Sequence, residues 1–211
     1  MDFHEWEPIY ESIIKDFGYN REKDEEAARL LHSIAGKRAA EANILESRIK
    51  LRKVTICGDS ERLENEFVKI LSENRDVVIA ADEATSVVMK YTLPDIIVTD
   101  LDGNVEKQIK ANEMGSIAVI HAHGDNLRAI KKYAPLFKGR IVLTTQSEPF
   151  DNVYNFGGFT DGDRAFFMAK HFGAAKISLF GFDFKNPRKK EGKDIEIKRR
   201  KLRWAKRLIE M

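Results

Sequence analysis

Apolar residues recur along the chain with two different periods. Over residues 1–51 they return every three or four positions. Trp6, Ile9, Tyr10, Ile13, Ile14 and Phe17 make one stripe that ends at Gly18, which predicts a helix. Ala27, Leu30, Leu31, Ile34, Ala35 and Ala42 make a second, which predicts a helix capped by Asp24 and running to about Leu51. Neither stripe carries clustered chemistry. Packing onto the rest of the chain, or against a second copy in a homodimer, is what such stripes imply.

From Arg52 the pattern changes to short runs rich in Val and Ile: VTIC (54–57), VVIAA (77–81), DIIVT (95–99), IAVIHA (117–122), RIVLTT (140–145) and KISLFG (176–181). Most are apolar at alternating positions on both faces, as in strands covered on both sides. Helical patterns separate them at 61–73, 84–91, 104–114, 125–137 and 161–172. A last one, at 194–210, turns Leu202, Ala205, Leu208 and Ile209 inward and its Lys and Arg outward. Strand–helix alternation of this kind predicts an α/β fold. The sheet is expected to be Rossmann-like, doubly wound and mostly parallel, with residues 1–51 as an N-terminal helical region and 52–211 as the α/β domain.

Charge and composition refine this only modestly. The 211 residues are 43% hydrophobic and 33% charged, the balance of a globular chain with a core. No apolar run reaches the ~20 residues of a membrane span, and the acidic N-terminus MDFHEWEPIY has no secretory h-region. The single cysteine, Cys57, lies in an apolar run and reads as a buried hydrophobe, so the cytoplasm is the expected compartment. The net charge of +2 hides an asymmetry. Residues 185–211 hold 12 Lys and Arg against 4 Asp and Glu, which leaves 24 against 30 in the rest. No nucleic-acid-binding motif accompanies the basic end, so a polyphosphate ligand or a solvated helix face accounts for it better.

In open α/β sheets ligands gather beyond the carboxyl ends of the strands. Those ends read Gly58-Asp59-Ser60, Ala81-Asp82-Glu83, Asp100-Leu101-Asp102, His121-Ala122-His123-Gly124-Asp125, Thr144-Thr145-Gln146-Ser147 and Gly181-Phe182-Asp183. Carboxylates crowded in one cleft repel one another unless a cation sits among them. Mg²⁺ takes oxygen ligands, often one or two carboxylates with water and substrate phosphates. Asp100 and Asp102, where a strand gives way to a loop, are the expected ligands, with Asp82 and Asp125 on flanking strands. Asp82 and Asp125 also fit helix N-caps. One of His121 and His123 is expected to face the cleft; a zinc site lacks a further close ligand. Neither a Walker loop nor a dinucleotide glycine fingerprint is present. Phosphates must then be held by the metal, by a helix starting near Thr160-Asp161-Gly162, and by bases such as Arg164, Lys176 or those from Lys185 onward.

The stretch VTDLDGN (98–104) admits three chemistries. As an aspartyl phosphatase motif it would open the fold, yet two strand–helix units precede it. As a receiver's phospho-acceptor it would need a second acid after the first strand and a lysine after the fifth, and CGDSER and TTQSEP supply neither. The third chemistry is a metal cradle for a nucleotide.

The series AADEA, PDIIVTDLDGN, HAHGDN, GGFTDGDRA and LFGFDF, with the N-terminal helices and KLRWAKRLI, resembles the archaeal-type 6-hydroxymethyl-7,8-dihydropterin pyrophosphokinases. These are related to the catalytic domains of thiamin pyrophosphokinases. Gly103 stands where the thiamin enzymes have Ser, which favours the pterin branch. The resemblance implies diphosphate transfer from ATP to the pterin alcohol, with Mg²⁺ and release of AMP. It implies Asp100, Asp102 and Asp125 as catalytic carboxylates and metal ligands. Asp82, Ser60, His123, Arg164 and Lys176 are expected around the nucleotide, and Phe159, Phe182 and Asp183 around the pterin, where Asp183 also fits a structural cap. A thiamin-type enzyme acting on another alcohol, or a nucleotide-binding regulatory module without turnover, are the alternatives. Asp100→Asn is expected to remove turnover and leave the melting temperature unchanged or slightly raised, because a repelled carboxylate goes.

Overall fold

A computed structural model of the protein describes residues 1–70, 76–188 and 194–211. The six Val- and Ile-rich runs are strands: β1 (Lys53–Cys57), β2 (Val77–Ala81), β3 (Ile96–Thr99), β4 (Ile117–Ala122), β5 (Ile141–Thr145) and β7 (Lys176–Phe180). A two-residue strand, β6 (Val153–Tyr154), adds to the edge beside β5. All pairings are parallel, in the order β6-β5-β4-β3-β2-β1-β7. Helices follow the strands as the pattern predicts: α4 (Leu63–Ile70), α5 (Ala84–Val88), α6 (Val105–Glu113), α7 (Leu127–Tyr133), α8 (Asp161–His171) and α9 (Ile195–Ile209). The last three residues of the stretch expected at 61–73 lie outside the described residues.

Alternation along the strands explains the two cores. Val54, Ile56, Ile79, Val98 and Val119 pack with Ala165 and Met168 of α8 on one face. Cys57 and Ala80 turn the other way, onto Leu63, Phe67 and Val88 of α4 and α5. Burial pushes the Cys57 thiol up to about 12, which leaves it an inert core residue. From β1 to β6 each strand joins on the same side, and the chain then crosses back to β7 on the far side of β1. That reversal puts α8 on the opposite face from α4–α7 and opens a crevice between the ends of β1 and β7. The two loops touch there: Gly58 N–H donates to Phe180 O at 2.8 Å, and a Cβ at Gly181 (φ 70°) would stand 2.4 Å from Gly58 O.

The N-terminal region departs from expectation. The second helix begins earlier and ends sooner. α1 (Phe3–Phe17) is followed by α2 (Arg21–Ala35), capped by Asn20, whose side chain accepts from Lys23 N–H at 3.2 Å. Asp24 is buried in the first turn and is not the cap. The chain turns at Gly36, where any Cβ would meet the His32 ring at 2.6 Å. Ala40 N–H then donates to Ile141 O at 2.8 Å, before a short α3 (Asn43–Ile49). The apolar stripes pack onto the rest of the chain. Trp6, Tyr10 and Ile13 pack on Phe159, Phe167 and Leu208, while Ala27, Ala28 and Leu31 pack beside β4, β5 and α7. No described helix is long and apolar enough to cross a membrane.

Candidate active site

A cavity of about 690 Å³ opens along the carboxyl edge of the sheet. The ends of β1 to β5 and β7 reach it, and so do the start of α8, the α1–α2 turn and one face of α9. At its centre, carboxylate oxygens of Asp82, Asp100 and Asp161 lie within 4.8 Å of one another.

Each of the three is set by its backbone. Asp82 follows β2 in the left-handed region (φ 45°), rare for a residue with a side chain. Its Oδ1 accepts from Gly103 N–H at 3.1 Å and Gln108 Nε2 at 2.9 Å, with the Thr99 hydroxyl at 3.0 Å. A Cβ at Gly103 would stand 2.4 Å from Asp82 Oδ2, so glycine is required at that position for the carboxylate to keep its place. Asp100 ends β3, and Leu101 (φ 66°) turns the chain immediately after it. Asp161 opens α8. The Asp163 carboxylate three residues into the helix accepts from Phe159 N–H at 2.6 Å and Thr160 N–H at 2.8 Å, which fixes that helix start.

The electrostatics divide the cluster. Asp100 Oδ2 lies 3.3 Å from His123 Nε2. His123 Nδ1 accepts from Asp125 N–H at 3.3 Å, so Nε2 is the nitrogen that carries a proton toward Asp100. Burial alone would raise the Asp100 carboxyl. The His123 hydrogen bond and the charges of Arg164 and Lys201 outweigh it and hold Asp100 below the usual carboxylate range. Asp161 goes the other way. Burial and then the Asp100 charge push it well above the usual range, although Arg164 Nη1 lies 3.1 Å from its Oδ1. Asp161 is therefore the carboxylate that its surroundings oppose, and on these electrostatics Asp100→Asn is expected to lower stability. Asp100 Oδ1 is buried with no hydrogen-bond partner among the described residues.

The other expected residues fall into three groups. Asp102, Asp125, His123, Ser60, Arg164, Phe159, Phe182 and Asp183 all line the cavity. Asp102 and Asp125 are exposed and lie outside the three-carboxylate cluster, because the left-handed Leu101 separates Asp102 from Asp100. Asp125 is not an N-cap either; that position of α7 falls to Asn126. Phe182 packs where Gly58 and Gly162 lack side chains, and a Cβ at either would meet its ring at 3.0 or 2.8 Å. Asp183 accepts from the N–H groups of Lys185 (3.0 Å) and Asn186 (2.9 Å) and pairs with Arg62 at 3.2 Å, so its carboxylate caps the turn after β7. Lys176 is a correction. It is exposed at the start of β7, the opposite end of the strand from Gly181, and does not line the cavity.

Sequence reasoning missed two features. Asp161 was legible only as part of a helix start, yet it completes the acidic cluster. Asp24 is a buried junction: Oδ1 accepts from Gly124 N–H at 2.7 Å, and Oδ2 from the Tyr10 hydroxyl at 2.7 Å and Gln146 Nε2 at 2.8 Å. Its signal was an acid on the apolar side of a helical stripe, next to Ala27 and Ala28.

Comparison with known proteins converges on one group. Residues 28–189 match the family described as 6-hydroxymethylpterin diphosphokinase MptE-like. A Methanocaldococcus jannaschii protein named 6-hydroxymethyl-7,8-dihydropterin pyrophosphokinase is 41% identical over 99% of this chain and 95% of its own length. Proteins of the same name from Pyrococcus furiosus and Methanothermobacter thermautotrophicus are 40% and 39% identical, each over all of this chain and 94% of the relative.

Proposed function

Because the chain belongs to the MptE-like 6-hydroxymethylpterin diphosphokinase family, we propose that it moves the diphosphate of ATP onto 6-hydroxymethyl-7,8-dihydropterin and releases AMP. The observation that carries this reading is the three-carboxylate cluster at the floor of a cavity whose walls are aromatic and basic. In the reaction the alcohol oxygen bonds to the β-phosphorus. The bond from that phosphorus to the oxygen it shares with the α-phosphate breaks, AMP leaves with the oxygen, and the alcohol proton passes to solvent. Such a transfer depends on positioning and charge neutralisation more than on covalent participation by the protein.

The donor set fits Mg²⁺. It is all oxygen, it brings together three carboxylates, and it includes an unpartnered buried oxygen on Asp100. Asp82, Asp100 and Asp161 would hold the ion, which when bound neutralises charge on the phosphate oxygens. Asp102 and Asp125 extend the negative field toward the mouth. The hydrogen bonds on Asp82 Oδ1 and the His123–Asp100 contact keep two of the carboxylates in one orientation before any ligand arrives. Phe182, in the β1–β7 crevice, offers a flat apolar wall for one of the two flat rings, adenine or pterin. We place the enzyme in the cytoplasm, where a buried free thiol and a phosphorylated metabolite are both at home.

The test is to incubate the protein with ATP, Mg²⁺ and the reduced pterin and to resolve the nucleotide products. AMP and a pterin diphosphate in equal amounts are expected. ADP in place of AMP would reject diphosphoryl transfer, and saturable ATP binding without any product would return the regulatory module.

A further inference from the structure

The basic C-terminal stretch contributes one cation unlike its neighbours. Arg188 pairs with Asp59 at 3.0 Å and Lys198 approaches the same residue at 3.9 Å. Arg164 pairs with Asp161, and Arg200 with Asp16 at 3.1 Å. Lys201, on the cavity face of α9, is half-buried, and among the described residues it makes neither a hydrogen bond nor a salt bridge. Its ammonium is held instead over two rings, 5.6 Å from the centre of Phe159 and 5.7 Å from that of Tyr19. It feels the charges of Asp100, Asp125 and Asp102, yet none of them comes close enough to pair with it. A desolvated cation and an acidic cluster thus face one another across the cavity without touching. A partly buried charge left unpaired is costly unless a ligand completes it. What fits between an ammonium on one side and carboxylates that hold a cation on the other is a polyanion.

We propose that Lys201 grips the β,γ-diphosphoryl group of ATP on the side opposite Asp82, Asp100 and Asp161, which makes α9 part of the transferring machinery. This rests on the diphosphotransferase reading above. As the β-phosphorus passes from the AMP oxygen to the pterin oxygen, Lys201 stays protonated and keeps its N–H donors on the moving group. The ring contacts place the ammonium before ATP arrives, so little ordering is left for the ligand to impose.

Lys201→Met preserves the stem and removes the charge. It is expected to lower kcat by about 100-fold, within the range for losing one charge-stabilising donor. Calorimetry with Mg²⁺ should show α,β-methylene-ATP binding at least tenfold more weakly than to the unaltered protein, with AMP affinity changed less than threefold. Lys201→Arg should recover most of the analogue affinity. The proposal is overturned if Lys201→Met keeps kcat within threefold, or if it weakens AMP and the analogue alike. Failure of both Lys201→Met and Lys201→Gln to fold would assign the lysine a structural role and overturn it too. If the unaltered protein forms no AMP from ATP and pterin, the functional reading fails, while the comparison of analogue with AMP still decides whether Lys201 contacts the terminal phosphates.

Discussion

The middle of the sheet and the two ends of the chain build the same cavity by different means. Asp82 and Asp100 stand at the ends of β2 and β3, where strand pairing and the backbone turns at Asp82 and Leu101 dictate their positions. The opposite wall depends on side chains that tie the chain ends down. Trp6 Nε1 donates to Gln146 O at 2.8 Å, Asp24 joins Tyr10, Gln146 and Gly124, and Trp204 Nε1 on α9 reaches Asp16 on α1 at 2.8 Å. Reactive charge thus sits on the rigid ladder, while aromatic and cationic enclosure comes from elements held by packing, a few hydrogen bonds and the Arg200–Asp16 ion pair. Perturbing the first should change chemistry more than stability, and cutting the ties that hold the second in place should do the reverse.

The sharpest break of that contrast is Asp100→Asn. Turnover should fall on the order of 10³-fold, about the effect of losing a central electrostatic contact. Stability should fall as well, because His123, Arg164 and Lys201 all favour the Asp100 charge in the folded state. A melting temperature at or above that of the unaltered protein would mean that Asp100, and not Asp161, is the repelled carboxylate.

Asp24→Ala tests the other region. It leaves Gly124 N–H, the Tyr10 hydroxyl and Gln146 Nε2 without their acceptor, a cost of about 3 kcal/mol, or roughly 6–12 °C in a chain of this size. Mg²⁺ affinity, measured by titration calorimetry, should change less than threefold while KM for both substrates rises. A large loss of Mg²⁺ affinity would show that the acids depend on the chain ends after all.

The same contrast explains what could be read in the sequence. Strand positions were legible because covered parallel strands are apolar on both faces. The acidic edge was legible because strand ends converge in any such sheet. That Asp161 joins Asp82 and Asp100, and that Asp102 does not, depends on the left-handed turn at Leu101 and on where α8 begins relative to β3. No period or spacing carries that information. The N-terminal stripes correctly announced helices, but a stripe cannot say what it packs against. The role of Tyr19 and Asp24 in the cavity wall was therefore out of reach, as was the break at Gly36, which depends on one histidine ring. Lys176 lies away from the cavity for a simpler reason: it occupies the amino end of β7, and a base beside a strand does not by itself tell which end it occupies.

Asp161→Asn sharpens the division inside the acidic cluster. Asp161 has its folded pKa raised, so between its unfolded value of about 3.9 and that higher value the folded state binds more protons than the unfolded one. Its contribution to stability is therefore lost as pH rises through this window, and above it the cost is complete. In chelator, the melting temperature of the unaltered protein should fall more than that of Asp161→Asn as pH rises above the unfolded value, and added Mg²⁺ should restore it. Mg²⁺ affinity of the variant should drop roughly 10- to 100-fold, as for loss of a group that supports a metal site. Parallel pH curves for the two proteins would show that Asp161 is not strained by its neighbours.

Gly103→Ala is a smaller intrusion on the same floor. The added methyl would lie 2.4 Å from Asp82 Oδ2, so either the loop shifts or the carboxylate does. Overpacking of this kind costs about 1–3 kcal/mol, and displacement of Asp82 should lower kcat about tenfold without moving KM for the pterin. Unchanged kcat with lowered stability would mean that the loop yields and that Asp82 keeps its orientation.

The smallest effect is expected at Lys176→Ala, and its smallness is informative. Lys176 is paired in register with Lys53 at the amino ends of β7 and β1, a strand length away from Gly181 and the cavity. A charge so exposed and so distant acts on the phosphates only through the screened field of the whole molecule, which fades beyond about 8–10 Å at ordinary ionic strength. The kcat and KM for ATP should stay within about twofold at 150 mM salt, and any residual effect should shrink further as salt is raised. A loss that persists in high salt would require direct contact with a ligand at the amino edge of the sheet. The cavity at the carboxyl edge could not then be where the nucleotide sits.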